Sequence, residues 1–264
     1  MPDVEAKPID QLCPACQGAL REGALFCSNC GYNGTASPAI PYRKELQSST
    51  TRFASHWGEI KQVSWLFGLL LFGSFVLGMT ARAIASPWPE AIASGIDAAI
   101  ILTFASLRYR DILPLLGLPR LSARGALELL GLALSFIAIM GAYFTLIQRA
   151  GVPVDHIAPA FKQFGWPVWS MFLLVSAMPA IFEELAFRGV IQSALERVLG
   201  EREAWLIQAA LFSVLHLLPM MFLSHFVMGL CFGYMRRRSK SLYPGIILHA
   251  GWNALVLYQE LYWS

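Results

Sequence analysis

Long uncharged stretches alternate with short charged segments over most of the chain. With histidine counted as uncharged, the longest of them are Gln62–Ala81, Leu129–Gln148, Gln163–Phe182, Ala204–Met235 and Ser241–Gln259. A helix needs about 20 predominantly apolar residues to cross the hydrocarbon core of a bilayer. Each stretch therefore predicts at least one membrane-spanning helix.

Two details adjust the number of helices. Ala91–Ser106 is a weaker candidate span, because Asp97 lies in its middle. The fourth stretch is too long for one span, and Pro219 divides it, since proline removes a backbone donor and clashes with the preceding turn. We expect two short helices there, 204–218 and 219–235. The predicted fold is an all-α polytopic membrane helix bundle with about seven transmembrane helices.

Composition and charge agree with a membrane protein. Charged residues make up 14% of the chain, whereas soluble domains carry about 25%. If the N-terminus is cytoplasmic, all but three of the 20 Lys and Arg residues fall on the cytoplasmic side, the exceptions being Arg82, Arg149 and Lys162. This bias follows the positive-inside rule. It predicts a multi-pass protein of the cell (inner) membrane that contacts membrane lipid, and we expect no nucleic-acid partner.

Two CxxC pairs near the N-terminus predict a metal site. Cys13 and Cys16 are followed, after ten residues, by Cys27 and Cys30. Four thiolates suit a tetrahedral structural zinc ion with no role in catalysis. Two disulfides are the alternative, which a reducing cytoplasm disfavours. The pattern resembles a short zinc ribbon that could recruit a cytoplasmic protein partner, whereas Cys231 lies in an apolar helix and is interpreted as a packing residue.

These features divide the chain into three parts. Residues 1–34 are predicted to form the zinc ribbon. Residues 35–61 are rich in proline, serine and threonine without an apolar period, which is typical of an exposed linker. Residues 62–264 are predicted to form the membrane domain.

Polar residues inside the predicted spans are the candidates for chemistry, because they are costly in a membrane. Glu184 and Arg188 are four residues apart on one helix face and are expected to pair. Glu183 points about 100° away. A carboxylate without a cation in an apolar setting can serve as a general base. Pro179 is expected to kink the helix and free a carbonyl; in the alternative, the fourth membrane span ends near Phe182 and both glutamates are interfacial.

Two further helices carry polar groups that match this position. His216 lies about 20 Å along a helix that begins near Glu203. If the helix of Glu183 continues to Leu199, Glu183 lies about 24 Å from the turn between these two helices. The two residues would then lie at similar depths. His249 and Asn253 share one face of the last helix. Each histidine alone could be a packing residue, but the three helices together predict a buried polar site.

These residues resemble the CAAX-protease and bacteriocin-processing family, intramembrane endopeptidases that include the Ras-converting enzyme. The shared motifs, in the family's order, are Glu183-Glu184-x-x-x-Arg188, Phe212-x-x-x-His216 and His249-x-x-x-Asn253. The similarity extends to Gly229-Leu230-x-x-Gly233 and Ser241-Leu242-Tyr243-Pro244 and covers roughly residues 167–255. The ribbon lies outside the family core, and the resemblance assigns no role to His225.

The resemblance implies peptide-bond hydrolysis inside the membrane. Glu183 would act as general base on a water, and His216 would hold or polarise that water. His249 and Asn253 would stabilise the oxyanion, which fits the hydrogen-bond donors that both side chains carry. The expected substrate is a membrane-associated or hydrophobic protein or peptide.

The resemblance gives Glu184 and Arg188 the task of orienting the site.

The role of a metal in this site stays open. Glu183, His216 and His249 could instead form a two-histidine, one-carboxylate catalytic zinc site. Family members have been described both as metalloproteases and as glutamate peptidases, and we favour the metal-free mechanism.

Two other function classes are open on the sequence. A non-catalytic membrane scaffold would use the ribbon to recruit its partner and would tolerate replacement of Glu183. A transporter or proton relay would use Asp97, Glu183 and His216, but no inverted repeat or pair of broken helices favours it.

Overall fold

The computed structural model describes residues 11–13, 15–20, 27, 29–30, 56–84, 86–119, 121–152 and 156–262. The chain divides into two compact units, Met1–Arg52 and Phe53–Ser264. The predicted domain boundaries stay predictions, and most of the predicted linker lies outside the described residues.

The first unit contains a small β-hairpin. Strands β1 (Gln11–Leu12) and β2 (Ala19–Leu20) pair antiparallel. Between them, the amide of Cys13 donates to the carbonyl of Gly18 over 2.9 Å. Gln17 adopts φ 57°, the left-handed conformation that lets the chain reverse tightly around the first CxxC pair.

The second unit is built from helices, as the sequence predicts. They are α1 (Trp57–Ala83), α2 (Trp88–Leu107), α3 (Tyr109–Ile112), α4 (Ala123–Arg149), α5 (Ala158–Gln163), α6 (Val168–Val198), α7 (Glu201–Leu215), α8 (Phe222–Ser239) and α9 (Tyr243–Tyr262). Short 3₁₀ turns lie at Leu113–Leu116 and Pro219–Met221. The predicted fold class, a membrane helix bundle with a small cysteine-rich head, is confirmed.

Four of the described helices are long and apolar enough to cross a membrane. They are α1 over Trp57–Thr80, α2, α4 and α6. The chain is therefore a multi-pass membrane protein. Helices also form in the remaining predicted regions, at α7, α8 and α9, but their crossing of the membrane, and so the total of about seven, stays a prediction.

Helix α6 changes its winding twice. It is π-helical over Phe172–Ala177 and again over Glu184–Ile191, with an α-helical segment, Met178–Glu183, in between. Short π-helical insertions are rare and frequently occur at functional sites. Helix α6 continues past Phe182 to Val198, so both glutamates lie inside a helix.

Helix α6 lies at the centre of the bundle. Half of its most apolar window (50%) is buried inside the protein, against 17% for each of the other three candidate spans. It packs against α2, α7, α8 and α9. The two adjacent glutamates therefore lie in the bundle core rather than at a helix end.

The boundaries of α7 and α8 differ from the predicted 204–218 and 219–235. Helix α7 ends at Leu215, and α8 continues four residues beyond Met235, to Ser239. Three consecutive arginines at the end of α8 pair with carboxylates of other helices. These ion pairs are Arg236–Glu196, Arg237–Glu201 and Arg238–Glu128.

Candidate active site

The second glutamate of the motif is enclosed and paired. Glu184 and Arg188 are both fully buried, and Nη1 of Arg188 lies 3.0 Å from Oε1 of Glu184. On the other side, a Cβ at Gly245 would come within 2.8 Å of Oε2 of Glu184. Glycine at this position of α9 lets its backbone approach the carboxylate closely. The predicted i, i+4 pairing of Glu184 with Arg188 is thus present.

Aromatic rings surround the buried Arg188 guanidinium. Its Cζ lies 4.3 Å from the ring centroid of Phe212, 5.3 Å from that of Phe232 and 5.9 Å from that of Phe187. A cation within about 6 Å of an aromatic face is attracted by the ring quadrupole. The rings and the Glu184 carboxylate together compensate the charge of Arg188 within the core.

His249 connects the two glutamates. Its Nδ1 lies 3.2 Å from Oε1 of Glu184, and its Nε2 lies 3.9 Å from Oε2 of Glu183. A carboxylate only accepts hydrogen bonds, so Nδ1 carries a hydrogen towards Glu184. The ring stacks on Phe232 at a centroid distance of 5.1 Å. His249 is therefore oriented from two sides, with Nε2 directed to Glu183.

Glu183 has a more open environment than its neighbour. Its side chain retains 23% exposure, whereas that of Glu184 has none. Oε2 of Glu183 is buried and makes no hydrogen bond with the described residues. The two adjacent carboxylates thus differ in the way that the sequence predicts, with the cation on Glu184 alone.

His216 lies directly after the last residue of α7. Its Nδ1 is 2.9 Å from the carbonyl oxygen of Phe212, so Nδ1 carries the hydrogen and Nε2 has the free lone pair in the neutral ring. The ring centroid of Phe212 lies 4.9 Å from that of His216 and 6.0 Å from that of His249. Phe212 therefore links the His216 side of the site to Arg188 and His249.

Asn253 contacts the π-helical segment of α6 that precedes Pro179. Its Nδ2 lies 3.4 Å from the carbonyl oxygen of Val175. In a regular α-helix this carbonyl would accept from the residue four positions later, which here is Pro179 and has no N–H. The carbonyl that the proline is predicted to free is thus close to Asn253, and the second hydrogen of Nδ2 is left for another acceptor.

A small cavity opens beside Glu183. It has a volume of about 130 Å³ and lies between α1, α2 and α6. Its polar lining consists of Ser74, Glu90, Ser94, Asp97 and Glu183. Asp97, whose role the sequence leaves open, thus shares a cavity with Glu183.

The ligands of a two-histidine, one-carboxylate zinc site are not grouped in this structure. Among the described residues, the four cysteines of the head are the one set of three or more His, Cys, Asp or Glu side chains whose ligand atoms all lie within 4.8 Å of one another. Glu183, His216 and His249 do not form such a set.

Residues 165–255 match a family model described as Type II CAAX prenyl endopeptidase Rce1-like. This segment, about a third of the chain, is similar to that family. The match confirms the resemblance that the motifs indicate, and it confirms the predicted enzyme class, a CAAX-protease-like hydrolase. Neither the curated proteins nor the solved structures contain a match to the chain.

The Rce1-like segment contains the whole motif set. It begins just before α6 and ends within α9, so it includes both glutamates, Arg188, His216, His249 and Asn253. A membrane protease of this class acts in contact with membrane lipid and on peptide substrates. The segment leaves out the cavity residues of α1 and α2 and the cysteine-rich head.

Outside the Rce1-like segment, the four predicted cysteine ligands come together. Sγ of Cys13 lies 3.6 Å from that of Cys30, and Sγ of Cys16 lies 3.8 Å from that of Cys27. A tetrahedral zinc ion with Zn–S bonds of about 2.3 Å holds its sulfurs roughly 3.8 Å apart. The cysteines therefore fit a structural metal ion, and none of them forms a disulfide.

Hydrogen bonds within the head favour a thiolate ligand. The amide of Gly18, and then the side chain of Asn29, donate to Cys16 and lower the pKa of its thiol to about 6. Metal binding requires the deprotonated sulfur. The first CxxC pair, which contains Cys16, is therefore suited to bind a cation such as zinc.

One histidine at the site was not assigned from the sequence. The ring centroid of His225, in the first turn of α8, lies 3.8 Å from that of His216. The two residues are on different helices, so no spacing rule within one helix could reveal the contact.

Proposed function

We propose that this protein hydrolyses peptide bonds inside the membrane, with Glu183 as the general base. The observation that carries the proposal is the contrast between the two glutamates around His249. Glu184 is occupied by Arg188 and by Nδ1 of His249. Glu183 has no arginine partner and retains 23% side-chain exposure, against none for Glu184. Its Oε2, which like Oε2 of Glu184 makes no hydrogen bond with the described residues, faces Nε2 of the same ring.

The reaction needs one water and one proton acceptor. Glu183 removes a proton from the water while the oxygen attacks the scissile carbonyl carbon, and the carbonyl oxygen becomes an oxyanion. The C–N bond then breaks, and the proton held by Glu183 passes to the leaving amine. Proton transfer by a positioned side chain contributes typically 10²–10⁴-fold to the rate.

The remaining polar residues have supporting roles in this proposal. His216 accepts a hydrogen bond from the water at Nε2 and so holds it near the base. Asn253 and Nε2 of His249, which share one face of α9, stabilise the oxyanion. Glu184 and Arg188 orient His249, because Glu184 holds its Nδ1 and Arg188 holds Glu184. The roles proposed here require no catalytic metal.

The proposed substrate is a membrane-associated or hydrophobic peptide segment. The site lies on α6 and α9 in the interior of a membrane bundle, so a peptide bond reaches it most readily from the lipid. We further propose that the protein resides in the cell (inner) membrane with its N-terminus in the cytoplasm. The charge asymmetry of the sequence supports this orientation.

A non-catalytic scaffold is the second candidate, and the cysteine-rich head favours it. A zinc-bound ribbon could recruit a cytoplasmic protein to the membrane without any hydrolysis. In that case the polar cluster would be purely structural, and removal of the Glu183 carboxylate would leave the function intact.

Peptidomics of membranes distinguishes the two candidates and requires no identified substrate. Membranes carrying the wild type are compared with membranes carrying equal amounts of Glu183→Gln. We expect new peptide termini that depend on the wild type and disappear with the variant. Identical peptide profiles, together with unchanged recruitment of a ribbon partner, would favour the scaffold.

A further inference from the structure

His225 forms the closest ring contact of the candidate active site among the described residues. Its ring centroid lies 3.8 Å from that of His216, and the two planes are inclined by 34°. The contact joins the first turn of α8 to the end of α7. His225 belongs to none of the three motifs.

Both rings are held by equivalent hydrogen bonds. Nδ1 of His225 lies 2.9 Å from the carbonyl oxygen of Met221, just as Nδ1 of His216 lies 2.9 Å from that of Phe212. In each case the acceptor is the carbonyl four residues earlier. Because a carbonyl only accepts, each neutral ring has its hydrogen on Nδ1 and a lone pair on Nε2.

His216 needs support from outside its own helix. It follows the last residue of α7, and Leu217 after it adopts φ 54°, a conformation that is unfavourable for a leucine. The chain therefore leaves the helix abruptly at this point. Phe212 meets the ring edge-on, at 4.9 Å and 68°, which leaves a face for His225.

We infer that His225 is a positioning residue, which stacks on His216 and holds the His216 ring so that Nε2 points to the reacting water. The inference rests on the proposed function, because it concerns the water that Glu183 activates. The planar face of His225 supplies the support, and proton transfer by His225 is not required. A ring held between Phe212 and His225 cannot rotate away from the Phe212 carbonyl, and the hydrogen bond from Nδ1 to that carbonyl fixes the tautomer and leaves Nε2 as the acceptor.

Two substitutions distinguish the effect of a planar ring at position 225 from the effect of apolar volume alone. His225→Leu fills much of the space with an aliphatic side chain, whereas His225→Phe restores a planar ring without a titratable nitrogen. Both are made in the full-length protein in lipid nanodiscs, with thermal unfolding as the test of folding.

The first readout is the nitrogen NMR spectrum of histidine-labelled protein. The chain contains five histidines, and the His216 signal is identified as the one that His216→Gln removes. We expect a single tautomer with a protonated Nδ1 in the wild type and in His225→Phe. We expect a mixture of tautomers in His225→Leu at an unchanged unfolding temperature.

The second readout is the set of peptide termini that Glu183→Gln abolishes in membranes. Their rate of appearance should fall about tenfold in His225→Leu and recover to within about threefold in His225→Phe, since misplacement of a catalytic group by roughly 1 Å can cost up to 10²-fold. An unchanged His216 spectrum in His225→Leu would overturn the inference, and so would equal failure of the Leu and Phe variants.

The outcomes separate this inference from the proposed function. If His216→Gln abolishes the peptide termini and His225→Leu does not, the inference is wrong and the protease proposal stands. If no terminus depends on Glu183, the protease proposal fails, while the NMR spectrum still decides whether His225 orients His216.

Discussion

Glu183 and Glu184 are neighbours in sequence, yet they occupy different chemical environments. Glu184 is fully buried between Arg188 and His249, and Glu183 faces a cavity beside α2. The difference follows from helix geometry, because only Glu184 has a cation four residues later. Replacing each in turn by glutamine should therefore give two distinct defects.

We expect Glu183→Gln to abolish cleavage and to leave stability unchanged. Glutamine keeps the size and hydrogen bonding of the side chain but cannot accept the proton from water. The loss should be about 10²–10⁴-fold, the usual contribution of a general base. The measurement is the rate of appearance of Glu183-dependent peptides, with thermal unfolding in detergent as the folding control.

Glu184→Gln should destabilise the protein as well as inactivate it. It leaves Arg188 buried without its partner, and breaking a buried ion pair costs about 3–5 kcal/mol. The unfolding temperature in detergent should fall clearly below that of Glu183→Gln. A stable, inactive Glu184→Gln beside a fully active Glu183→Gln would reverse the two roles.

Asn253 is expected to contribute to oxyanion stabilisation. Asn253→Ala should lower the rate of cleavage by about 10²–10³-fold, as the loss of one oxyanion donor typically does. Ser176→Ala is the matched control, because Oγ of Ser176 donates to the carbonyl of Ala250 over 2.8 Å and also joins α6 to α9. Equal losses in the two variants would mean that Asn253 acts only as a link between helices.

At the scale of single helices, Pro179 in α6 connects a sequence feature to the site. Pro179 has no N–H for the carbonyl of Val175, and Asn253 lies within 3.4 Å of that oxygen. Pro179→Ala would supply the missing donor and compete with Asn253. Proline inside a helix is about 3 kcal/mol less favourable than alanine, so this variant should be at least as stable as the wild type.

The activity of Pro179→Ala should nevertheless fall by about tenfold or more, because a displaced donor no longer meets the oxyanion. Pro167→Ala is the control, since Pro167 precedes the first turn of the same helix. The comparison requires unfolding temperatures and cleavage rates for both variants. Full activity of Pro179→Ala would show that the freed carbonyl has no part in positioning Asn253.

Local rules predict features within one helix better than contacts between helices. The pairing of Glu184 with Arg188 and the shared face of His249 and Asn253 follow from a spacing of four residues. The uncharged stretch, in contrast, ends at Phe182, while α6 continues to Val198. A search for uncharged stretches misses the part of α6 after Phe182, because that part contains charged residues. Partners on the same helix and on other helices compensate these charges in the folded protein.

The contacts that complete the site could not be predicted from spacing. The hydrogen bond between His249 and Glu184, the contacts of Phe212 and Phe232 with Arg188 and the stacking of His225 on His216 all join different helical segments. They depend on how the helices pack, and no periodicity within one segment encodes that. The sequence therefore predicts the candidate residues and the structure supplies their partners.

At the scale of the whole molecule, the head is predicted to bind metal independently of the membrane site. Purified protein should contain one zinc ion per chain, and replacing Cys13, Cys16, Cys27 and Cys30 by serine should remove it. Cys231→Ala is the control, because this thiol is buried in the helical unit. The measurement is elemental analysis of protein isolated under reducing conditions.

The second outcome of the same experiment concerns the redox state of the head. The ligand sulfurs lie 3.6 and 3.8 Å apart in the two closest pairs, beyond the roughly 2.05 Å of a disulfide bond. Disulfides in freshly isolated native protein, with no bound zinc, would contradict the predicted zinc ribbon. Retention of zinc by the four-serine variant would assign the metal to another site.

The orientation of the bundle can be tested with exposed residues at its two ends. Arg149 ends α4 and Lys240 follows α8, and both side chains are exposed. The charge bias predicts that Arg149 is outside and Lys240 is in the cytoplasm. In a Cys231→Ala background, a membrane-impermeant thiol reagent should label Arg149→Cys in intact cells and should label Lys240→Cys only after permeabilisation.

Met220→Cys extends the test to the number of crossings. Met220 lies between α7 and α8 with 58% exposure, and a bundle of about seven transmembrane helices places it outside. Labelling in intact cells would show that α7 and α8 both cross the membrane, although neither is among the four candidate spans of the described chain. Protection of Met220→Cys until permeabilisation would mean that this pair does not cross.

Labelling of Lys240→Cys in intact cells would overturn the predicted orientation of the charged loop at Arg236–Lys240, and the cytoplasmic assignment of the head would fall with it.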